Sequence, residues 1–182
     1  MMRVAGFDPG LGTTGFGVVE VRGRDYFVVQ AGVIRAKKKL DLSDRLKEIY
    51  EGIQQVLLES ECDEIAVEEL YSHYEHPRTA ILMAHARGLI FLAAGERGIP
   101  VTSYSAKRIK QTLTGNGNAH KLQVQRCIQA QLSLSKLPEP ADVADALAVA
   151  LCHLNRARIF GANPGMSRAR LRAFQDQTRR GG

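Results

Sequence analysis

Apolar runs and amphipathic segments alternate along the chain in an order that predicts an α/β domain. Runs rich in Val, Ile and Phe predict five strands, at about residues 2–7, 15–21, 26–35, 64–70 and 100–104. Segments with helical spacing of apolar side chains predict five helices, at about residues 44–60, 77–97, 105–113, 119–133 and 140–158. Three leading strands with short turns indicate an antiparallel meander, and the later alternation indicates parallel strands joined by helices. We therefore expect a mixed five-stranded sheet with helices on both faces.

Capping residues support several of these boundaries. Ser43 is expected to be the N-cap of the first helix, because its hydroxyl oxygen can accept a hydrogen bond from a free backbone N–H. Pro77 suits the first turn of the second helix, and Gly98 suits its end. The glycine- and asparagine-rich segment 115–118 is expected to separate the third and fourth helices.

Length and composition indicate one folded domain followed by a basic tail. The chain has 182 residues, 45% of them hydrophobic, which is enough to bury a sizeable core. After Gly161 the sequence becomes rich in Arg, Gly and Ser and loses its periodicity. We therefore expect a folded domain over residues 1–160 and a disordered basic tail over residues 161–182.

Three features favour a cytoplasmic protein without membrane association. No uninterrupted apolar stretch reaches the ~18 residues that a membrane-spanning helix needs. The N-terminal apolar run is interrupted by Asp8 and is too short for a signal peptide. The cysteines, Cys62, Cys127 and Cys152, are odd in number and far apart, which predicts reduced thiols and not a disulfide framework or a zinc site.

The net charge of +6 is unevenly distributed along the chain. Residues 156–182 carry seven Arg and one Asp, which accounts for the whole excess, whereas residues 1–155 sum to zero. Between Glu96 and Glu139 there is no acidic residue, but there are seven Lys or Arg. A basic stripe beside an acidic cluster suits a polyphosphate bound near a metal ion, and a solvated basic face is the open alternative.

Four carboxylates occupy positions that favour a shared cation site. Asp8 ends the first predicted strand, a glutamate ends the fourth, and Asp142 and Asp145 lie three residues apart at the start of an apolar helix. A carboxylate at the end of a buried strand is unfavourable unless it is paired or binds a cation. One cation-filled site explains all of these positions together. For Asp142 and Asp145 alone, favourable charge at a helix N-terminus is the open alternative.

The residues themselves do not decide which glutamate of the fourth strand belongs to this site. Glu68 and Glu69 face opposite sides of the strand, and their neighbours are apolar at nearly every position. Either glutamate, together with the three aspartates, gives an all-oxygen site that suits Mg²⁺ or Mn²⁺ and not structural zinc. Two such ions, about 3.5–4 Å apart, would allow activated water to hydrolyse a phosphodiester.

A second motif, Gly-x-Gly-x-x-Gly at residues 10–15, has the residue spacing of the dinucleotide-binding pattern but not the structural context that such a site requires. A dinucleotide site also requires a helix to begin there, so that its N-terminus meets the pyrophosphate. Residues 15–21 predict a strand instead. We interpret the glycines as a tight turn between strands that lets a phosphate or a metal ion approach Asp8.

Basic and aromatic side chains near the acids are candidate contacts for nucleic acid. Four basic side chains are candidates for backbone phosphate contacts: Lys107, Arg108, Lys110 and Lys121. Tyr71 follows the fourth strand in a segment with further aromatic and histidine side chains, where rings can stack on unpaired bases. Ordinary surface packing is the open alternative for these aromatic residues.

Taken together and in order, these motifs resemble the RuvC family of bacterial Holliday-junction resolvases. The resemblance covers about residues 3–155. It rests on two strand ends, Asp-Pro-Gly at residues 8–10 and Ala-Val-Glu at residues 66–68. It rests also on a loop, Gly-x-Gly-x-Ala-x-Lys at residues 115–121. Two helical motifs complete the set: Lys-Gln-Thr at residues 110–112 and Ala-Asp-x-Ala-Asp-Ala-Leu-Ala at residues 141–148. The Asp-Pro-Gly turn alone is not specific, because sugar kinases and actin-like ATPases use a related turn.

The resemblance implies a ribonuclease-H-like fold and a homodimer that resolves four-way DNA junctions in recombination and repair by symmetric nicking of two strands. It implies metal ligation by four carboxylates, with Glu68 chosen over Glu69: Asp8, Glu68, Asp142 and Asp145. Lys110 and Lys121 would lie near the scissile phosphate. Tyr71 matches a position at which the family often has Phe, used against an unpaired base.

The same resemblance implies Mg²⁺, or Mn²⁺, as cofactor, with two ions per active site, and a branch-migration partner complex of RuvA and RuvB. Two other classes of protein are kept as alternatives. An actin-like phosphotransferase would need a second nucleotide-holding domain, for which the chain is short. A non-catalytic junction-binding protein would cut no junction in any metal. For the tail at residues 161–182, added non-specific DNA affinity and no contribution are both left open.

Overall fold

The structure, a computed structural model, describes residues 1–70 and 77–159 and contains the five strands and five helices that the sequence predicts. The strands are β1 (Met2–Asp8), β2 (Thr13–Arg22), β3 (Asp25–Arg35), β4 (Glu64–Glu68) and β5 (Val101–Tyr104). The helices are α1 (Leu42–Ser60), α2 (Pro77–Arg97), α3 (Ala106–Thr114), α4 (Lys121–Gln131) and α5 (Ala141–Ile159). The tail expected at residues 161–182 lies outside the described residues.

The strands form one mixed sheet in the order β3-β2-β1-β4-β5. The first three form the predicted antiparallel meander, in which Asp8 pairs with Gly15 where β1 meets β2. Strand β4 runs parallel to β1, and β5 runs parallel to β4, so that helices make both crossovers. The predicted mixed five-stranded sheet is therefore confirmed.

Helices cover both faces of the sheet and bury two apolar cores. On one face, α3, α4 and α5 pack against alternate side chains of the strands, such as Val4 and Val19. On the other face, α1 and α2 pack against the intervening side chains, such as Ala5 and Val18. Because side chains of a strand alternate between faces, the largely buried strands β1 and β2 serve both cores.

Glycines let α5 approach the sheet with its backbone. A Cβ atom on Gly6 of β1 would lie 2.1 Å from the carbonyl oxygen of Ala146, and one on Gly17 of β2 would lie 2.6 Å from a methyl carbon of Leu147. These distances are shorter than any real side chain permits. The glycines of β1 and β2 therefore fix how closely, and at which register, α5 lies over the sheet.

Most of the boundaries differ from the predicted ones by one or two residues, and two of these differences concern named signals. Ser43 is not the N-cap of α1, because the helix begins two residues earlier than predicted, at Leu42, after Asp41. Asp41 caps through its backbone, whose carbonyl oxygen accepts a hydrogen bond from Arg45 N–H, and makes no side-chain capping bond. Strand β4 ends at Glu68 instead of residue 70.

The other predicted signals are confirmed. Gly115 ends α3 with a positive φ of 77°, which glycine adopts without strain. Strand β2 begins at Thr13, so no helix follows the glycine motif at residues 10–15, and that motif forms a turn between strands. Within residues 1–70 and 77–159, no helix has the length and apolarity needed to cross a membrane.

Candidate active site

Asp8 and Glu68 lie at one edge of the sheet, because they are the last residues of two parallel neighbours. Asp8 ends β1 and Glu68 ends β4, and these strands pair up to Phe7 and Val67. The carboxyl ends of parallel strands meet at the same edge, so the two side chains emerge close together. The turn that follows Asp8 is closed by Thr14, whose hydroxyl donates a hydrogen bond of 2.8 Å to the carbonyl oxygen of Gly10.

The start of α5 brings Asp142 and Asp145 to the same edge. Gly15 pairs with Asp8, and a Cβ atom on Gly15 would lie 2.1 Å from the carbonyl oxygen of Asp142. The backbone of α5 therefore lies directly on the strand position beside Asp8. The spacing of three residues puts Asp142 and Asp145 on one face of the helix. Three segments far apart in sequence thus place four carboxylates at one place.

The charges of the α5 aspartates act on the two strand-end carboxyls. Burial, followed by the charges of Asp145 and Asp142, raises the pKa of Asp8 from 3.8 to about 6. Burial, followed by the charges of Asp8 and Asp145, raises the pKa of Glu68 from 4.5 to about 7. Partly buried carboxylates that repel one another are a common property of cation-binding and catalytic sites.

Two lysines oppose this concentration of negative charge. Lys121, the first residue of α4, forms an ion pair of 2.9 Å with the Oδ2 atom of Asp145. Its charge lowers the pKa of both Asp8 and Glu68, and the charge of Lys110 on α3 also lowers that of Glu68. The basic stripe predicted from the sequence therefore reaches the acidic cluster at these two residues.

The donor set fits divalent cations by its chemistry. All four side chains offer carboxylate oxygens, which are preferred by Mg²⁺ and Mn²⁺. In the described part of the chain, however, no three His, Cys, Asp or Glu side chains converge closely enough to enclose an ion. The Asp145 carboxylate is paired with Lys121, the first residue of α4. A bound cation would therefore compete with Lys121 for Asp145 and would relieve the repulsion between the carboxylates.

The structure separates the two glutamates that the sequence leaves undecided. Glu68 is half-buried and interacts electrostatically with Asp8 and Asp145. Glu69 is exposed, and its backbone N–H donates a hydrogen bond of 2.9 Å to the carbonyl oxygen of Tyr104. Of the two glutamates, Glu68 is the one that lies with the aspartates.

The other two predicted basic contacts lie in the first turn of α3, and they are not among the charges that act on Asp8 and Glu68. Lys107 is exposed and lies beside Gly117, where a Cβ atom would be 2.9 Å from the Cγ atom of Lys107. Arg108 is also exposed, and its charge acts on Cys152 of α5, whose pKa is raised chiefly by burial. Tyr71, the predicted base contact, lies outside the described residues.

The sequence interpretation missed one residue beside the site, Arg87 of α2. Its Nε atom donates a hydrogen bond of 3.3 Å to the carbonyl oxygen of Glu68, and its Nη2 atom donates one of 2.7 Å to Ser103 Oγ. A signal was present, since Arg87 is a lone charge in the apolar middle of a long helix. Its partner depends on tertiary structure and could not be inferred from the pattern.

Comparison with solved structures supports the fold. Thermus thermophilus RuvC, in complex with Holliday junction substrate, superimposes with a TM-score of 0.83 and 34% identity, covering 87% of this chain and 96% of that one. A second structure of the same T. thermophilus protein gives a TM-score of 0.81 at the same identity and coverage. A yeast mitochondrial Holliday junction resolvase shares the fold at a TM-score of 0.62 and 13% identity. The ribonuclease-H-like fold implied by the resemblance is confirmed.

Comparison of sequences identifies the family. Residues 4–153 match the family model described as "Crossover junction endodeoxyribonuclease RuvC". The relative with that name from Rhodopirellula baltica is 48% identical over 149 residues, which are 82% of this chain and 84% of the relative. The one from Thermotoga maritima is 42% identical over 157 residues, 86% and 93% of the two chains. The chain therefore belongs to the RuvC family of crossover junction endodeoxyribonucleases, as its motifs predict.

Proposed function

We propose that this chain resolves four-way DNA junctions, in recombination and repair, by divalent-metal-dependent nicking of two strands at symmetric positions. The observation that carries the proposal is the grouping of Asp8, Glu68, Asp142 and Asp145 at one edge of the sheet, near enough for their charges to act on one another, with Lys110 and Lys121 beside them. Support for the substrate comes from the similar T. thermophilus RuvC, which is bound to a Holliday junction substrate.

The four carboxylates are proposed to hold two divalent ions, Mg²⁺ or Mn²⁺. Such ions, when bound, supply the Lewis acidity that activates water and stabilises the leaving oxygen of a phosphodiester. The chain itself supplies the negative charge that attracts the cations and the partial burial that limits competition by water. These ligands lie on two strand ends and on a helix that packs against the sheet through glycine, so all three elements that carry them belong to the folded core.

The lysines are proposed to neutralise the phosphate that is cut. Lys110 and Lys121 lie close enough to the carboxylates to affect their pKa values, so a phosphate at the metal site would lie within reach of both. Lys107 and Arg108, exposed on α3, are proposed to bind backbone phosphates farther from the cut. Tyr71 is proposed to stack on an unpaired base at the crossover.

A homodimer is proposed because a junction offers two equivalent strands and a two-fold assembly presents two equivalent sites. Support comes from an exposed apolar face on α2: Ile81, Leu82, Phe91 and Leu92. A face of this kind suits an interface between copies of the chain.

The nuclease domain is proposed to comprise residues 1–160, with the basic segment 161–182 outside it. A branch-migration complex of RuvA and RuvB is the proposed partner, in the cytoplasm.

Cleavage of a labelled synthetic four-way junction, compared with a linear duplex of the same sequence, tests the proposal. The wild-type protein, Glu68→Gln and Glu69→Gln are compared in Mg²⁺, in Mn²⁺ and in EDTA. We expect paired nicks in the junction alone, with metal, by the wild type and by Glu69→Gln. We expect Glu68→Gln to bind the junction without cutting it, since the basic contacts remain.

Three outcomes would contradict the proposal. Cutting in EDTA, or equal cutting of the linear duplex, would exclude a metal-dependent, junction-selective nuclease. Full cleavage by Glu68→Gln would remove that residue from the site. Symmetric nicking is checked on the same gels, because a dimer that cuts once per junction leaves nicked products without resolved duplexes.

A further inference from the structure

Arg87 is a half-buried cation whose described partners are all neutral. Its guanidinium donates hydrogen bonds to the Glu68 carbonyl oxygen, at 3.3 Å, and to the Ser103 hydroxyl, at 2.7 Å. The guanidinium carbon lies 4.6 Å from the centre of the Phe91 ring. Among residues 1–70 and 77–159, no carboxylate forms an ion pair with Arg87. Arg87 therefore does not neutralise an acidic side chain there.

The carbonyl group that Arg87 binds lies where regular strand pairing stops. The pairing of β4 with β1 ends at Val67 and Phe7, one residue before Glu68. On the other side, Glu69 N–H still donates to the carbonyl oxygen of Tyr104 on β5. Arg87 reaches the Glu68 carbonyl from α2, which covers the face of the sheet opposite α5. The last peptide group of β4 is thus held by β5 and by Arg87.

The geometry of Arg87 suits this task better than that of a lysine. A guanidinium is planar and donates in several fixed directions, so that one side chain can bind two acceptors at once. Ser103 on β5 holds one end, and the Phe91 ring lies against the guanidinium. The remaining N–H directed at Glu68 is therefore pre-oriented. An orientation fixed in this way is transmitted through the backbone to the direction of the Glu68 side chain.

We propose that Arg87 is a positioning residue that fixes the orientation of the Glu68 carboxylate by binding the Glu68 carbonyl. The proposal rests on the proposed function, in which Glu68 holds a metal ion. Groups that orient metal ligands affect metal affinity or activity by about 10–100-fold when removed. Arg87 acts from the face of the sheet opposite α5, so its expected effect is on Glu68 and not on the proposed phosphate contacts of α3 and α4.

The test compares Arg87→Met, Arg87→Lys and Ser103→Ala with the wild-type chain. Mn²⁺ affinity of the DNA-free protein is measured by calorimetry, junction affinity is measured in EDTA, and the single-turnover cleavage rate is measured at saturating junction. Thermal melting and size-exclusion chromatography accompany each variant, because Arg87 shares α2 with the exposed apolar face. Ser103→Ala keeps the charge of Arg87 but removes one of its two hydrogen-bond acceptors.

We expect Arg87→Met to lower Mn²⁺ affinity and the cleavage rate by about 10–100-fold, with junction affinity unchanged. Arg87→Lys should not restore either quantity, since one ammonium group does not bridge Ser103 and Glu68. Ser103→Ala should lower both by a smaller factor. If Arg87→Met does not fold, Arg87→Lys and Ser103→Ala still carry the test.

Two results would overturn the inference. Weaker junction binding by Arg87→Met, with unchanged Mn²⁺ affinity and with rescue by Arg87→Lys, would make Arg87 a phosphate contact. Wild-type Mn²⁺ affinity and rate in every folded variant would leave Arg87 without a positioning role.

Glu68→Gln is included in the same series. If it retains Mn²⁺ affinity and cleavage, the proposed function of Glu68 fails, whatever the Arg87 variants do.

Discussion

Gly15 of β2 lies against the backbone of Asp142 in α5, with no room for a side chain between them. A Cβ atom on Gly15 would be 2.1 Å from the Asp142 carbonyl oxygen and 2.9 Å from the Asp142 Cβ atom. Gly15 is also the residue that pairs with Asp8. One glycine therefore determines the distance between the strand that carries Asp8 and the helix that carries the two aspartates.

Gly15→Ala is expected to separate α5 from the sheet at the active site. The added methyl group meets backbone atoms, which cannot move aside as the end of a flexible side chain can. We expect a loss of stability of about 1–3 kcal/mol or more, together with loss of junction cleavage. Gly12→Ala is the matched control, because a Cβ atom there has no neighbour within 4 Å. Thermal melting and the cleavage assay check both variants, and a Gly15→Ala protein with wild-type stability and rate would contradict the close approach.

The stability of the metal-free protein is expected to depend on the charges of Asp8 and Glu68. Both carboxyls have raised pKa values, about 6 and about 7 against 3.8 and 4.5, so the folded state binds their protons more tightly than the unfolded state. This contribution to stability is fully present below about pH 4 and is lost as the pH rises through 6 to 7. At pH 8 the wild-type protein therefore bears the full cost of two ionised, partly buried carboxylates.

Replacing Asp8 or Glu68 by its neutral amide should remove the unfavourable free energy of the buried charge. In EDTA at pH 8, we expect Asp8→Asn and Glu68→Gln each to melt several degrees above the wild type, since about 1 kcal/mol corresponds to about 2–4 °C in a domain of this size. The difference should shrink as the pH falls to about 5. Glu69→Gln, which removes the same charge from an exposed neighbour, should melt like the wild type at every pH. Melting curves at pH 5 and pH 8 decide the matter: a constant difference would show that charge is not the cause.

Lys121→Met is expected to raise the affinity of the DNA-free protein for Mn²⁺, although it removes a proposed phosphate contact. Lys121 neutralises Asp145 in the ion pair of 2.9 Å, and a divalent ion must compete with it. Exposed ion pairs contribute about 0.5–1 kcal/mol, so we expect the affinity to rise by about 2- to 5-fold.

Lys110→Met is the control for this effect, because the charge of Lys110 also acts on Glu68 but Lys110 forms no ion pair within the described residues. Calorimetric titration with Mn²⁺ should give a smaller increase for Lys110→Met. Equal increases for the two variants would attribute the effect to net charge alone, and unchanged or lower affinity in Lys121→Met would exclude competition for Asp145.

Leu92→Glu is expected to weaken the proposed dimer. Leu92 is 52% exposed on the apolar face of α2, and a charge there would have to be desolvated in an interface. Leu58→Glu, at a leucine of α1 that is 61% exposed, serves as the control. Sedimentation at several protein concentrations should give a lower mass for Leu92→Glu only. A monomeric Leu58→Glu protein with an intact Leu92→Glu dimer would move the interface to α1.

Much of the fold could be predicted from the sequence because local signals and tertiary structure agree. The strand that ends at Asp8 is almost continuously buried, so its apolar run and its end are visible in the residues. The glycine of the α3 end has the positive φ that the sequence pattern requires. Ser43 was a wrong N-cap prediction, because Asp41 belongs to the same class of favoured N-cap residues and the helix begins directly after it.

Only part of the site could be predicted from the sequence, because the rest depends on contacts between elements that are distant in the chain. Asp142 and Asp145 are separated by a helical spacing, so their shared face follows from the sequence. The choice between Glu68 and Glu69 does not, because it depends on which face of β4 meets α5, and only the family resemblance supplied it. The same holds for Arg87, whose partner is a backbone carbonyl that no residue pattern reveals.

The order in which the chain is synthesised has a consequence for when this nuclease can become active. Asp8 and Glu68 emerge from the ribosome early, but Asp142 and Asp145 belong to α5, which also supplies the centre of one apolar core. A nascent or prematurely terminated chain that stops before residue 141 lacks both that core and half of the carboxylates. The proposed site is therefore expected to form only after α5 has been synthesised, and a fragment that ends before residue 141 is expected not to cut a junction.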